Sequence, residues 1–167
     1  KSTQKITRAM QMVAAAKLRR AQENILKARP YAIQLDNIIA QVAIRSKRDL
    51  HPLLTERGND RKLLLVLVTA DSGLCGGFNS NIIKRARNYI DEHKGSEIDM
   101  FCIGRKGRDF FRKTDLKITA EKIMFFNHLK YSDAVETISG IKKLFLEEQY
   151  DRVDVMYNEF KSAIQQN

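Results

Sequence analysis

Tryptophan is absent from this chain of 167 residues, which holds only two prolines, two cysteines and eight glycines. So little glycine and proline excludes a linker-rich or collagen-like protein. Cys75 and Cys102 are too few for a disulfide framework. Neither lies in a CxxC or Cys/His cluster, which argues against a structural zinc site and for a reducing compartment. The longest uncharged apolar run, Leu63 to Val68, has six residues, whereas a membrane-spanning helix needs about twenty. No secretory signal opens the chain, and no internal repeat is found. The sequence starts at Lys1 rather than Met, so a trimmed chain is expected.

What is present is globular in composition, with 43% apolar and 30% charged residues, and the length suits about one domain. The charge is unevenly placed. Residues 1–50 carry eleven bases against three acids, Glu23, Asp36 and Asp49, while residues 51–167 carry nineteen bases and seventeen acids. The basic excess belongs to the N-terminal segment, whose partner should be acidic. Nucleic acid, anionic lipid and an acidic protein surface all qualify, and a merely solvated helix face stands beside them.

From Lys1 to about Leu50 the residues are helix formers and glycine is absent. Ala14, Leu18, Ala21, Ile25, Ala28, Ala32, Leu35, Ile39 and Val42 are spaced alternately by four and three, a seam over four heptads. Ile6, Met10 and Val13 continue an apolar stripe on an adjacent face. Four of the nine seam residues are alanine, which lets backbones approach but forgoes about 0.8 kcal/mol of burial per missing CH₂. Such a helix depends on a partner strand, and no second long heptad run is found in the sequence. Pro30 leaves the Leu26 carbonyl without a donor, at about 3 kcal/mol, yet the heptad phase passes through it unchanged. A kinked but continuous helix is expected, with two helices broken at Arg29 as the alternative.

After His51 and Pro52 the period changes. Leu63 to Thr69 reads as a strand buried on both faces, Asn79 to His93 as a helix with Ile82, Ile83, Ala86 and Ile90 inward, and Ile98 to Ile103 as a second strand. Gly104 to Lys113 suggests a short basic helix, and Lys117 to Ala120 a short third strand. Ser132 is expected to cap a helix through Glu148 with Val135, Ile138, Ile141, Leu144 and Phe145 on one face. Arg152 to Phe160 alternates as a fourth strand. The order predicts an α/β, Rossmann-like, mainly parallel sheet flanked by helices, occupying residues 60–167, behind a helical arm over residues 1–55.

The turn from Asp71 to Asn79 follows the first strand and precedes a helix, where α/β folds bind phosphate. It has neither a Gly-Lys-Ser/Thr ending nor GxGxxG spacing, and tight turns use glycine for backbone reasons alone. Cys75 stands where thiolates are favoured, but His51, His93 and His128 show no pairing with it, so a buried or half-buried structural cysteine is the expectation. Asp71 is expected to bond amides of its own turn rather than a metal. Gly104 to Arg108 resembles an anion-binding knot, or simply a basic helix start. Phe125, Phe126 and Tyr131 read as packing residues rather than a base-stacking platform. No acid/base pair or nucleophile constellation emerges, so no independent catalysis, metal or cofactor is expected.

The stretch Lys5-Ile-Thr-Arg-Ala-Met-Gln-Met-Val-Ala-Ala-Ala-Lys-Leu-Arg-Arg20, then Ala28-Arg-Pro-Tyr-Ala32, closely resembles the N-terminal helix of the gamma subunits of bacterial F-type ATP synthases. Thr69-Ala-Asp-Ser-Gly-Leu-Cys-Gly-Gly-Phe-Asn79 is similar to that family's signature after its first strand. The resemblance implies a non-catalytic rotor in which N- and C-terminal helices form an antiparallel coiled coil inside a ring of alternating alpha and beta subunits. The α/β part would be the foot, against the epsilon subunit and the c-ring, on the cytoplasmic face of the plasma membrane without a membrane-spanning segment. Rotation driven by protons would couple to ATP synthesis, or to hydrolysis in reverse, with no nucleotide bound by this subunit. The seam then becomes half of an axle, and the C-terminal helix of the family is absent from this sequence. The resemblance makes Lys17, Arg19 and Arg20 the expected contacts for an acidic lever on the beta subunits, with Ala14, Ala15 and Ala16 keeping the shaft slim. Ser72 stands where the family usually has an arginine that contacts a beta-subunit catch loop, and Lys84 downstream is the candidate substitute. A basic α/β nucleic-acid-binding protein with a coiled-coil arm, and a nucleotide-binding α/β enzyme, are the alternatives from other classes.

Overall fold

The computed structural model describes residues 2–45, 51–53, 55, 57–58, 60–124, 126 and 130–159, and the side chains of all of these but 2 and 3. Lys1, Leu50, Phe125, His128 and Phe160, which figure in the sequence reading, lie outside the described residues. The chain divides into two compact units, Lys1–Thr55 and Glu56–Asn167.

Among the described residues of the first unit the one helix is α1 (Ser2–Arg45), with Pro30 inside it. The helix is uninterrupted at Arg29, so the broken-helix alternative is not what forms. All nine residues of the four-three spacing are exposed, and Leu18, Ile25, Leu35, Ile39 and Val42 are among its large exposed apolar side chains.

The second unit runs β1 (Lys62–Val68), α2 (Phe78–Glu92), β2 (Glu97–Ile103), α3 (Arg105–Phe111), β3 (Ile118–Lys122), α4 (Tyr131–Leu146) and β4 (Arg152–Met156). The four strands form one sheet in the order β3-β2-β1-β4, and every pairing is parallel. The register sets Leu65 of β1 between Met100 of β2 and Asp154 of β4. Because β1 is internal and covered on both faces, its side chains alternate between two cores, which explains an unbroken apolar run where a one-sided strand would alternate with polar residues. Leu63, Leu65 and Leu67 pack with Met100, Cys102, Ile82, Ala86 and Phe111. Leu64 and Val66 pack with Phe101, Ile103, Ile141 and Tyr150 on the other side.

Two details of α4 differ from expectation. The helix starts at Tyr131, so Ser132 lies inside it and not at its cap; instead Asp133 accepts the Lys130 backbone N–H at 2.9 Å, a reciprocal closure of the first turn. Its inward face is Ala134, Thr137, Ile141, Leu144 and Phe145, while Val135 and Ile138 point outward. Thr137 is buried, and its hydroxyl is satisfied there by donating to the Asp133 carbonyl at 2.7 Å. At the other end Arg57 donates to the carbonyls of Phe145 (2.6 Å) and Tyr150 (2.9 Å) and lies over the Phe145 ring, joining the last turn of α4 to the segment that leads into β4.

One buried acid is held by the sheet itself. Asp99 on β2 is 2% exposed and accepts from Tyr150 Oη (2.7 Å), Lys117 Nζ (3.2 Å) and Thr119 Oγ1 (3.2 Å). Burial would raise its pKa, but these hydrogen bonds and the Lys117 charge outweigh burial and hold the carboxyl below its ordinary range. Burial, with smaller effects of the Asp99 bond and charge, pushes the Tyr150 phenol up to about 12.

Candidate functional site

The carboxyl end of a parallel sheet is where helix amides and loops converge, above all at the point where strand order reverses. In this sheet that point lies between β1 and β4. The loop leaving β1 there is the turn Asp71–Gly77, which leads into α2.

Asn79, in the first turn of α2, organises it. The side chain is buried, its Oδ1 accepts the Ala70 N–H at 2.9 Å, and its Nδ2 donates to the Ser72 carbonyl at 3.1 Å and lies 3.0 Å from Cys75 Sγ. Sequence reasoning assigned Asn79 no role. The available signal was an asparagine at the start of a helix immediately after a loop, where its amide can serve loop carbonyls and amides at once.

Asp71 does not bond amides of its own turn. Its Oδ1 accepts the N–H of Arg105 at 3.0 Å and of Met124 at 2.9 Å, joining the start of α3 and the segment after β3 to the end of β1. The basic knot from Gly104 to Arg108 therefore meets an anion, but the anion is the chain's own. Arg108 is further engaged by Asp109 (2.8 Å) and Glu121 (3.2 Å). Gly104 is required by contact as well as by φ, which is +97°: a Cβ there would stand 1.9 Å from the Thr69 carbonyl oxygen. Buried Thr69 accepts the Gly107 N–H on its hydroxyl at 2.9 Å.

Cys75 is exposed, contrary to the expected buried or half-buried position, whereas Cys102 is buried and burial pushes its thiol up to about 11. His93 is remote from Cys75: it stacks on Tyr89 at the far end of α2, with Nδ1 2.8 Å from the Tyr89 carbonyl, about 20 Å along the helix. Tyr131 is exposed rather than packed. Among the described residues no group of three or more His, Cys, Asp or Glu is placed to hold a metal ion, and no helix is long and apolar enough to cross a membrane.

The expected contact residues fall on three elements. Lys17, Arg19 and Arg20 are exposed on α1, with Arg19 Nε 3.0 Å from Glu23 Oε1. At 3.6 residues per turn Arg19 and Arg20 lie on the side of α1 away from the four-three stripe, and Lys17 flanks it. Ser72 is exposed in the turn, its carbonyl fixed by Asn79. Lys84, on α2, lines a groove of about 560 Å³ between α2 and α3 together with Arg87, Lys106 and Lys113. Among the described residues these four cations form no ion pair. A second cleft, about 430 Å³, lies beside the turn and is lined by Val68, Asp71, Ser72, Phe78, Tyr157 and Asn158 among others. Asn158 donates to the Phe78 carbonyl at 3.1 Å, tying the segment after β4 to the start of α2.

Against known proteins, the sequence profile of a family described as ATP synthase matches residues 1–167. An ATP synthase gamma chain of Prosthecochloris aestuarii is 44% identical over 172 residues, which take in 100% of this chain and 59% of the relative. The gamma chain of Chlorobaculum parvum is 45% identical with the same two coverages. This chain thus spans 59% of the length of those curated relatives. In fold it is similar to a chain from the cryo-EM structure of the central stalk and c-ring of Tetrahymena thermophila mitochondrial ATP synthase, with a TM-score of 0.77 and 23% identity, covering 97% of this chain and 69% of that one.

Proposed function

Because this chain belongs to the ATP synthase family, as one of its gamma chains, we propose that it is part of the central shaft that couples rotation to conformational change in the catalytic subunits. The observation that carries the proposal is the match of the family over all 167 residues. It is supported by an uninterrupted 44-residue helix whose stripe from Ala14 to Val42 is exposed and spaced for a partner helix.

In this reading the α1 stripe is the seam of an antiparallel coiled coil completed by a helix from the remainder of the full-length protein. Alanine at four of the nine positions keeps the two backbones close, so the shaft is thin and stiff. With the seam facing inward, Arg19 and Arg20 face outward, where an acidic lever of a beta subunit can push on them. Each such exposed contact is weak, about 0–1 kcal/mol. A lever therefore meets a surface that attracts it without holding it, which is what a turning shaft needs. The α/β unit serves as the foot, against the epsilon subunit and the c-ring. In this reading the chain is a peripheral, non-catalytic subunit that works at the cytoplasmic face of a bacterial plasma membrane. None of the comparisons supports the nucleic-acid-binding alternative.

Ser72 presents no cation where an arginine would reach a catch loop; a charge-assisted hydrogen bond of about 1.5–3 kcal/mol is thereby lacking at that position. Lys84, free on the neighbouring groove, is the proposed replacement. The test is reconstitution of the full-length chain with alpha and beta subunits. Restored ATPase activity is expected, and its absence would remove the shaft reading. Within that assay Ser72→Arg should strengthen the grip at one rotary angle, seen as a lengthened pause in single-molecule rotation. Unchanged pauses and coupling would show that position 72 is no latch.

A further inference from the structure

The bases carried by α3 and its C-terminal end fall into two groups. Arg108 and Arg112 are neutralised within the unit, both by Glu121, at 3.2 and 2.9 Å. Lys106 and Lys113 instead line the groove of about 560 Å³ against α2, to which Lys84 and Arg87 also contribute. Among the described residues none of these four has an ion pair or a side-chain hydrogen bond. The one acid in the lining, Asp109, stands 2.8 Å from Arg108 Nε, so its charge is already engaged. Outside these five residues, positions 51–167 hold fifteen bases and sixteen acids, so the groove accounts for the positive excess of that stretch.

Like charges gathered in one concavity repel each other and focus a positive field that draws in a counter-charge. The start of α2 adds to that field. Asn79 and Ser80 of its first turn line the groove, the N-cap Gly77 supplies no side-chain hydrogen bond, and the first turn carries no acid. The positive end of the helix is therefore not neutralised by its own residues.

The spacing of the cations limits the shape of the anion. Lys106 and Lys113 are seven residues apart, roughly 10 Å at the helical rise, and Lys84 and Arg87 lie about one turn apart on α2. A single phosphate does not reach along such a site, whereas a linear chain of phosphates does. The volume is that of a small-molecule cleft, and its lining includes the apolar side chains of Ile83 and Phe110. It holds no histidine, cysteine or carboxylate pair, which suits holding an anion rather than reacting with one.

We propose that this groove is a binding site for a condensed phosphate chain, held between Lys84 and Arg87 of α2 on one side and Lys106 and Lys113 on the other. Binding there needs no other subunit, so it stands or falls separately from the shaft reading.

The test is calorimetric titration of the full-length chain with tripolyphosphate, with thermal unfolding followed in parallel. One-to-one binding is expected, and orthophosphate and citrate should each bind at least about tenfold more weakly. Lys84→Gln and Lys113→Gln, one from each wall, should each raise the tripolyphosphate Kd by about tenfold and leave the unfolding midpoint unchanged. Lys142→Gln, which removes an exposed base of α4 outside the groove, should stay within about twofold. Absence of binding overturns the site, and so does equal affinity for orthophosphate or citrate. An unchanged Kd in both groove variants, or an equal loss in Lys142→Gln, overturns it too. Affinity lost together with a lowered midpoint in both groove variants also does so, by making the two lysines residues of the fold. ATP then identifies the source of the chain. An advantage over tripolyphosphate that Phe110→Leu removes makes the ligand the tail of a nucleotide, and no advantage makes it inorganic polyphosphate. An advantage that Phe110→Leu leaves intact puts the nucleotide elsewhere and overturns the site.

Discussion

Asn79 uses both ends of its amide on the loop before it, so truncation strands several groups at once. Asn79→Ala leaves the Ala70 N–H and the Ser72 carbonyl without their partner, at a cost of roughly 1–3 kcal/mol. The loss is expected as a lower urea midpoint with an unchanged slope. Gly104→Ala should be far more severe, because the new methyl would overlap the Thr69 carbonyl at a φ that disfavours any side chain, and expression in inclusion bodies is the expected outcome. Asp99 predicts a pH effect with a definite sign. Its folded pKa lies below the ordinary value of 3.8, so its stabilisation is fully present above that value and is lost as pH falls through the folded one. Asp99→Asn should therefore destabilise at pH 7, and the difference from the unaltered chain should shrink in acid; urea titrations at pH 7 and near pH 3 compare the two. None of these three roles was legible in the sequence. Asn79, Gly104 and Asp99 act on groups that come near only after the sheet has formed: Thr69 is thirty-five residues from Gly104, and Tyr150 fifty-one from Asp99.

Among the elements, the strands were the most legible. Lys62–Val68 and Glu97–Ile103 are buried on both faces, and the continuous apolar run of the first has few other uses at that length. The edge strand β3 (Ile118–Lys122), expected over Lys117 to Ala120, was readable only coarsely, since one face of an edge strand stays polar. At the start of α4 serine is the common cap, yet it is Asp133 that closes the first turn. Its outward Val135 and Ile138 show the limit of hydrophobic periodicity: it identifies an apolar face, and the sheet chooses which of two adjacent faces to cover. For α1, Pro30 is carried inside an otherwise regular helix, so Pro30→Ala should restore one helical hydrogen bond and relieve a cost of about 3 kcal/mol. Far-UV circular dichroism should show a higher melting midpoint for the helical signal of that variant. No change would mean that the proline is accommodated without strain.

At the scale of the whole molecule the two units have unequal means of support. α1 keeps almost every side chain exposed, whereas the α/β unit closes two cores around β1. Heating should therefore give two transitions, helical dichroism falling first and the near-ultraviolet tyrosine signal later; a single coincident transition would show that the units are energetically one. The exposed thiol of Cys75 and the buried one of Cys102 provide a second clock: Cys75 should react with a maleimide at once, and Cys102 only as the later transition proceeds.

Strand order also bears on how the protein is made. β1 is complete early, but its second neighbour, β4, follows it by about ninety residues, as the pairing of Leu63 with Arg152 shows. At about 5–20 residues per second, a ribosome needs roughly five to twenty seconds to cover that interval. For that time the most apolar strand of the nascent chain has an open edge, the condition under which a chaperone or a neighbouring polysomal copy can pair with it first.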